Sequence, residues 1–204
     1  VRLLFAGPAA TVVNAPATPT LPGLLLRGGG TFRTLASGNE SLTLVFVAGT
    51  PTGNWIEVDR HMLPSEVIAR GVSGQAIPDN IEQTVIFDLE ERDPRNEFSA
   101  STFIPSSAGA TYQFSTVVTT DPLLWTAGDF CRVRLFVAGS PVYTAVQYPT
   151  DGQTERCSVP LSGIVRLALG NTVNVTVTIA RAGGSTLAAD GTATYFNLHR
   201  IDQP

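Results

Sequence analysis

The chain has 204 residues and a formal net charge of −4; 43% of it is hydrophobic and only 15% is charged. Its basic residues are all arginines, scattered as at Arg132, Arg134, Arg166 and Arg181, so no basic stripe exists to hold a nucleic acid. Its apolar runs, such as residues 24–26 and 45–48, are far too short to cross a bilayer as a helix.

In chain order, residues 1–7 lack the apolar core of a secretion signal and read as an ordered strand or a fragment boundary. The proline-rich stretch 15–22 (APATPTLP) cannot continue a helix, because each proline removes a donor and fixes φ. Gly28, Gly29 and Gly30 form a turn; no Gly-Lys-Ser/Thr follows to make a phosphate loop. Leu42, Leu44 and Phe46 alternate with Ser41, Thr43 and Val45, which is the strand period. A turn over 48–54 leads to a second strand over 55–60, the expected hairpin partner. Residues 61–80 are the expected joint, with one or two helical turns over 64–70 before Gly71, Gly74 and Pro78 break the pattern.

From residue 82 onward strand signals recur. Val85, Phe87 and Leu89 share one face; residues 98–104 form the next strand, and Tyr112, Phe114 and Val118 mark a third. Cys131, Val133, Leu135 and Val137 alternate with Arg132, Arg134 and Phe136. Strands follow over 142–148, over 157–167 with an expected break near Gly163, over 173–179 and over 192–201. About eight strands without helical periodicity indicate a sandwich or barrel. Large side chains stand on both faces of the last strand and of the segment holding Tyr112, Phe114 and Val117. A lone sandwich should be wet on one side of such strands, so a partner subunit is the expected cover, with an overlying loop as the alternative.

Residues 98–105 (FSASTFIP), 108–115 (AGATYQFS), 129–133 (DFCRV), 162–173 (SGIVRLALGNTV) and 194–201 (TYFNLHRI) occur in the order of the C1q/TNF-like jelly roll, which the chain resembles from about residue 82 to 202. It departs from that pattern at Asn171, Asn197 and His199. The resemblance implies a homotrimer with Tyr112, Phe114, Tyr195 and Phe196 at the interface, and it suggests a disulfide between Cys131 and Cys157, the alternative being two buried free thiols. Residues 42–46 (LTLVF) and 53–60 (GNWIEVDR) resemble a hairpin module of phage tail fibres. The expected fold is all-β, with a small β-rich stem or attachment domain over 1–75 and a C1q/TNF-like jelly-roll head over 76–204.

Catalytic chemistry finds no foothold. His61 and His199 have no Cys or His neighbour at metal-ligand spacing, and no Gly-x-Ser-x-Gly occurs. Asp88, Glu90, Glu91, Asp93 and Glu97, interleaved with Arg92 and Arg95, read as a solvated loop or strand edge, with a weak calcium site as the alternative. No catalytic residue, cofactor or metal is expected. Trp125 is the candidate recognition aromatic, with core capping as its bland alternative; loops 121–129, 148–156 and 181–191 are the candidate recognition surface. The functional expectation is a homotrimeric structural or adhesive virion protein, a phage fibre or a capsid or tail decoration. Its expected partners are other virion proteins and a host surface glycan or protein, with no membrane insertion. The alternatives are a bacterial surface or secreted C1q-like binding module and a collar or joint protein with no receptor role.

Overall fold

The computed structural model describes residues 1–5, 11–13, 23–25, 31–33, 40–48, 53–61, 64–106, 109–189 and 193–202. The expected turns at 15–22 and 28–30 lie outside these. Every regular element among the described residues is a strand, and no helix is long and apolar enough to cross a membrane. The chain divides into two compact units, Val1–Pro64 and Ser65–Pro204.

The first unit contains β1 (Arg2–Phe5), β2 (Thr11–Val13), β3 (Gly23–Leu25), β4 (Thr31–Arg33), β5 (Glu40–Val47) and β6 (Asn54–His61). The expected hairpin is there: β5 and β6 pair antiparallel from Ser41↔His61 to Val47↔Asn54, and β1 and β3 flank them. Alternation sends Leu42 and Leu44 into a small core with Leu3, Val12, Leu24 and Trp55 packed against it. Phe46 leaves that core and lies against Trp55 instead, with ring centroids 5.2 Å apart.

The second unit contains β7 (Glu66–Arg70), β8 (Ala76–Ile77), β9 (Gln83–Thr84), β10 (Leu89–Arg92), β11 (Phe98–Ser99), β12 (Thr102–Phe103) and β13 (Ala110–Thr119). There follow β14 (Leu123–Leu124), β15 (Phe130–Val137), β16 (Ser140–Gln147), β17 (Thr154–Glu155), β18 (Ser158–Leu167), β19 (Val173–Ala180), β20 (Ser185–Thr186) and β21 (Tyr195–Arg200). They build two facing sheets, β10-β7-β21-β13-β18 and β11-β12-β19-β15-β16, with β9 paired to β19. This is a jelly-roll sandwich. Val67, Phe87, Phe103, Phe114, Val133 and Leu198 belong to its single large core, where each fully buried side chain of this size contributes about 1.5–3 kcal/mol.

Three expectations change here. Residues 66–70 form a strand rather than a helical turn, because Val67 and Ala69 alternate inward opposite Leu198 and Phe196. The two compact units divide at 64/65, within the expected joint over 61–80. Residues 98–104 make a two-residue hairpin, not one strand: Phe98 pairs with Phe103 and Ser99 with Thr102 around Ala100 and Ser101 at φ 48° and 61°, the left-handed pair such a tight turn demands. Val85 and Phe87 are buried, but Leu89 is exposed at the sheet edge.

The expected break at Gly163 is likewise missing; β18 runs through it, held to β13 by ten consecutive residue pairs. Tyr143 from the facing sheet reaches over this point, donates its hydroxyl to the Ile164 carbonyl at 2.6 Å and packs on Phe114, with centroids 5.0 Å apart. A Cβ at position 163 would lie 2.7 Å from the Tyr143 ring and 2.9 Å from that of Phe114. Gly163→Ala forces one ring aside and should cost about 1–3 kcal/mol, read as a lowered unfolding midpoint in urea. An unchanged midpoint would show that the two sheet edges are not locked at this residue.

Candidate functional site

β13 lies between β18 and β21, so its alternation sets both faces of its sheet. Tyr112, Phe114, Thr116 and Val118 point inward, and Gln113, Ser115 and Val117 point outward. Tyr112, Phe114 and Phe196 are 0%, 1% and 1% exposed. They are core residues with no surface to offer a partner. Of the four rings expected at an interface, Tyr195 alone stands on the outer face, half-buried.

The register assembles that outer face in three rows across the sheet. Arg70, Tyr195, Val117 and Pro160 form one row; Ile68, Asn197, Ser115 and Ser162 form the next; Glu66, His199, Gln113 and Ile164 form the third. The part contributed by β13, β21 and β18 in these rows holds no Asp, Glu or Arg. The charges lie to one side, where Arg70 pairs with Glu91 at 2.8 Å and Arg92 pairs with Glu66 at 2.5 Å, tying β10 to β7. A neutral centre with charges at the rim has the composition of a protein–protein contact surface.

The Tyr112 hydroxyl belongs to a buried polar relay. Ser65 Oγ donates to Glu97 Oε2, so its one proton is spent, and the 2.9 Å contact with Tyr112 is donated by the phenol. Glu97 Oε1 accepts from Ser106 N at 2.7 Å and from Ser106 Oγ, and Arg95 Nε lies 4.0 Å away. Glu97 and Arg95 are thus buried, not part of a solvated edge. The other acidic residues of this run go elsewhere: Asp88 accepts from Val72 N, and Asp93 from Phe98 N. Among the described residues no three acidic, His or Cys side chains gather to hold a metal.

Trp125 is fully buried, which corrects its reading as a recognition aromatic. Its Nε1 donates to the Glu155 carbonyl at 2.9 Å, its backbone N to Gln153 O at 3.0 Å, and its carbonyl accepts from Gly152 N at 2.9 Å. It pins two of the three expected loops together, and β14 pairs with β17 beside it. Arg181 joins the third loop to these: Nε donates to the Leu124 carbonyl at 3.0 Å, and Nη1 donates to Gly184 O at 2.9 Å. A shallow cleft of about 450 Å³ opens there, lined by Pro78, Asp121, Leu123, Arg181, Gly184 and Ser185 among others. Gly184 lets its loop pass close to Ile77: a Cβ there would stand 2.5 Å from Ile77 O. Sequence reasoning named the loops but missed Arg181, the residue that gathers them.

The loop cluster lies at the end of the sandwich opposite to where the chain enters it. Ser65 O accepts from Arg200 N at the finish of β21, whereas Gly71 N donates to Thr194 O near its start, where Thr119, Thr120 and Cys157 also meet. Cys131 and Cys157, the pair suggested for a disulfide, are free thiols here, both fully buried. The neighbouring Cys157 thiol, together with burial, pushes the Cys131 thiol well above its ordinary range.

No protein-family model and no curated protein matches the sequence. Solved structures do share its fold. The globular domain of zebrafish complement 1qA is 15% identical, covers 69% of this chain and 99% of its own, with a TM-score of 0.51. Murine APRIL is 13% identical over 68% of this chain and 100% of its own, TM-score 0.50. Eiger TNF from S. frugiperda is 10% identical over 69% of this chain and 94% of its own, TM-score 0.52. The C1q/TNF-like jelly roll is therefore the fold of the part of the chain these structures cover, about two thirds of it.

The relay gives a titration test. Burial, and with it the nearby Glu97 carboxylate, push the Tyr112 phenol up to about 12 against the opposing pull of Ser65. An unfolded tyrosine ionises near pH 10. The native state thus keeps a proton that the unfolded state gives up, and this contribution to stability is whole below pH 10 and lost as pH rises toward 12. Tyrosinate absorbance should show one component near pH 12 that Tyr112→Phe removes. An identical alkaline limb in the two proteins would contradict the relay.

Proposed function

We propose that the chain is a homotrimeric structural or adhesive component of a virion, a fibre head or a capsid or tail decoration, that meets a host surface through its loop cluster. The observation that carries the trimer is the outer face of the β10-β7-β21-β13-β18 sheet, which bears no Asp, Glu or Arg in the rows contributed by β21, β13 and β18. Ile68, Val117, Pro160, Tyr195 and Ile164 supply apolar area there, and the serines and amides among them supply hydrogen bonds without charge. Identical copies can approach through such a face without repelling one another. The C1q/TNF-like fold and the hairpin of β5 and β6, whose sequence resembles a tail-fibre module, support the same reading.

The proposed mechanism is binding. Three identical loop clusters on one particle raise avidity by effective concentration even where each contact is weak. The cleft beside Arg181 and Asp121 offers opposite charges and a hydroxyl pair, Ser185 and Thr186, suited to a polar surface ligand such as a glycan. Within this unit the cluster lies at the end opposite Ser65.

Light scattering coupled to size exclusion tests the assembly. The expected mass is about 65 kDa, three copies of the 21.6 kDa chain. A stable species of 21.6 kDa would overturn the trimer and the avidity that depends on it. Binding of the same sample to a glycan array, lost in Arg181→Ala with the mass unchanged, would support the adhesive role; no binding by the wild type would leave a purely structural component.

A further inference from the structure

Arg181 and Asp121 line one cleft, carry opposite charges and do not pair with each other. Arg181 is held in place by its own hydrogen bonds. Its backbone N donates to Asp79 Oδ1 at 2.9 Å, its Nε to the Leu124 carbonyl and its Nη1 to the Gly184 carbonyl. Two of its three guanidinium nitrogens are thus committed, and Nη2 has no partner among the described residues. The guanidinium cannot swing to Asp121 without giving up both carbonyls. Asp121 is fixed through its main chain, whose N donates to Thr186 O at 2.9 Å, and its carboxylate takes no hydrogen bond or ion pair among the described residues. Both residues are half-buried. Asp79, the carboxylate nearby, is spent on Arg181 N and on Asn80 Nδ2.

We infer that the cleft takes a zwitterionic sugar unit, one that bears an ammonium beside a carboxylate, with the carboxylate on Arg181 Nη2 and the ammonium on Asp121. This rests on the glycan-binding role proposed above for the same cleft and names the class of sugar. A ligand of one sign gains from one of these side chains and loses to the other. A neutral sugar can hydrogen-bond to both but matches neither charge. A unit with both signs gives each a charge-assisted hydrogen bond, the stronger kind. A phosphate monoester would bring close to two negative charges against the single charge of Arg181 and would face Asp121, so the carboxylate is the better anion. Ile77, Pro78 and Leu123 supply apolar lining on which the C–H face of a sugar ring can lie. The two carbonyls that clamp Arg181 hold it ready before the ligand arrives, which lowers the ordering cost of binding.

Saturation-transfer NMR titrations of the full chain with matched sugars test this. Muramic acid carries ammonium and carboxylate on one ring, N-acetylmuramic acid the carboxylate only, glucosamine the ammonium only, and N-acetylglucosamine neither. Muramic acid should bind most tightly, and each of the others at least about threefold more weakly, the scale of one half-exposed ion pair. Asp121→Asn removes a carboxylate that the fold does not use, so circular dichroism should be unchanged. It should lower the affinity for muramic acid to that for N-acetylmuramic acid and should not weaken N-acetylmuramic acid itself. Equal affinity for all four sugars, or muramic acid binding that survives Asp121→Asn, would overturn the charge pairing while leaving a glycan-binding cleft. Binding of none of the four would also overturn it, and the glycan array then decides separately whether the adhesive reading stands.

Discussion

Strand β13 is the constraint on which the rest of the sandwich depends. All ten of its residues pair with β18, and Tyr112 to Val117 also pair with β21. A slip of one residue would turn Phe114 out to solvent and Gln113 into the core, so the register is fixed from both sides. The same alternation that fills the core with Tyr112, Phe114 and Val118 lays Gln113, Ser115 and Val117 on the outside. Core and outer face are two consequences of one pattern.

The two ends of the sandwich are closed in different ways. At the end where the chain enters, the relay from Tyr112 through Ser65 to Glu97 satisfies a buried carboxylate with Arg95 beside it. Removing one member of such a set strands a charge, which is why buried ion pairs resist partial replacement. At the other end, Trp125 and Arg181 spend their donors on backbone carbonyls of neighbouring loops. That end is held by hydrogen bonds to the main chain, so exposed side chains around the cleft can vary without loosening it.

The fold was largely legible because strand period repeats on nearly every long segment from 110 onward; residues 173–179 alternate without a break and form β19. What misled was adjacency. Tyr195 and Phe196 are neighbouring rings, and sequence alone reads both faces of that strand as apolar. The pairing Thr116↔Phe196 and Val117↔Tyr195 decides that Phe196 faces inward with Thr116, while Tyr195 faces outward with Val117. Residues 66–70 were too short for periodicity to separate strand from helix. Trp125, Arg181 and the thiol contact of Cys131 with Cys157 depend on partners far along the chain, which no local pattern reveals. The neutral face did leave a trace: outward positions 113, 115, 117, 160, 162 and 164 carry no charge at all.

Burial of that face between identical copies is the central claim, and a charge placed at its centre tests it most directly. Ser115 is outward, half-buried and flanked in register by Ser162 and Asn197, so Ser115→Arg leaves the core untouched. Sedimentation should show the wild type at about three times the chain mass and Ser115→Arg at 21.6 kDa, with the circular dichroism spectrum unchanged. A Ser115→Arg protein that sediments like the wild type would contradict the claim, because guanidinium groups that must lose water without a partner make such an interface untenable.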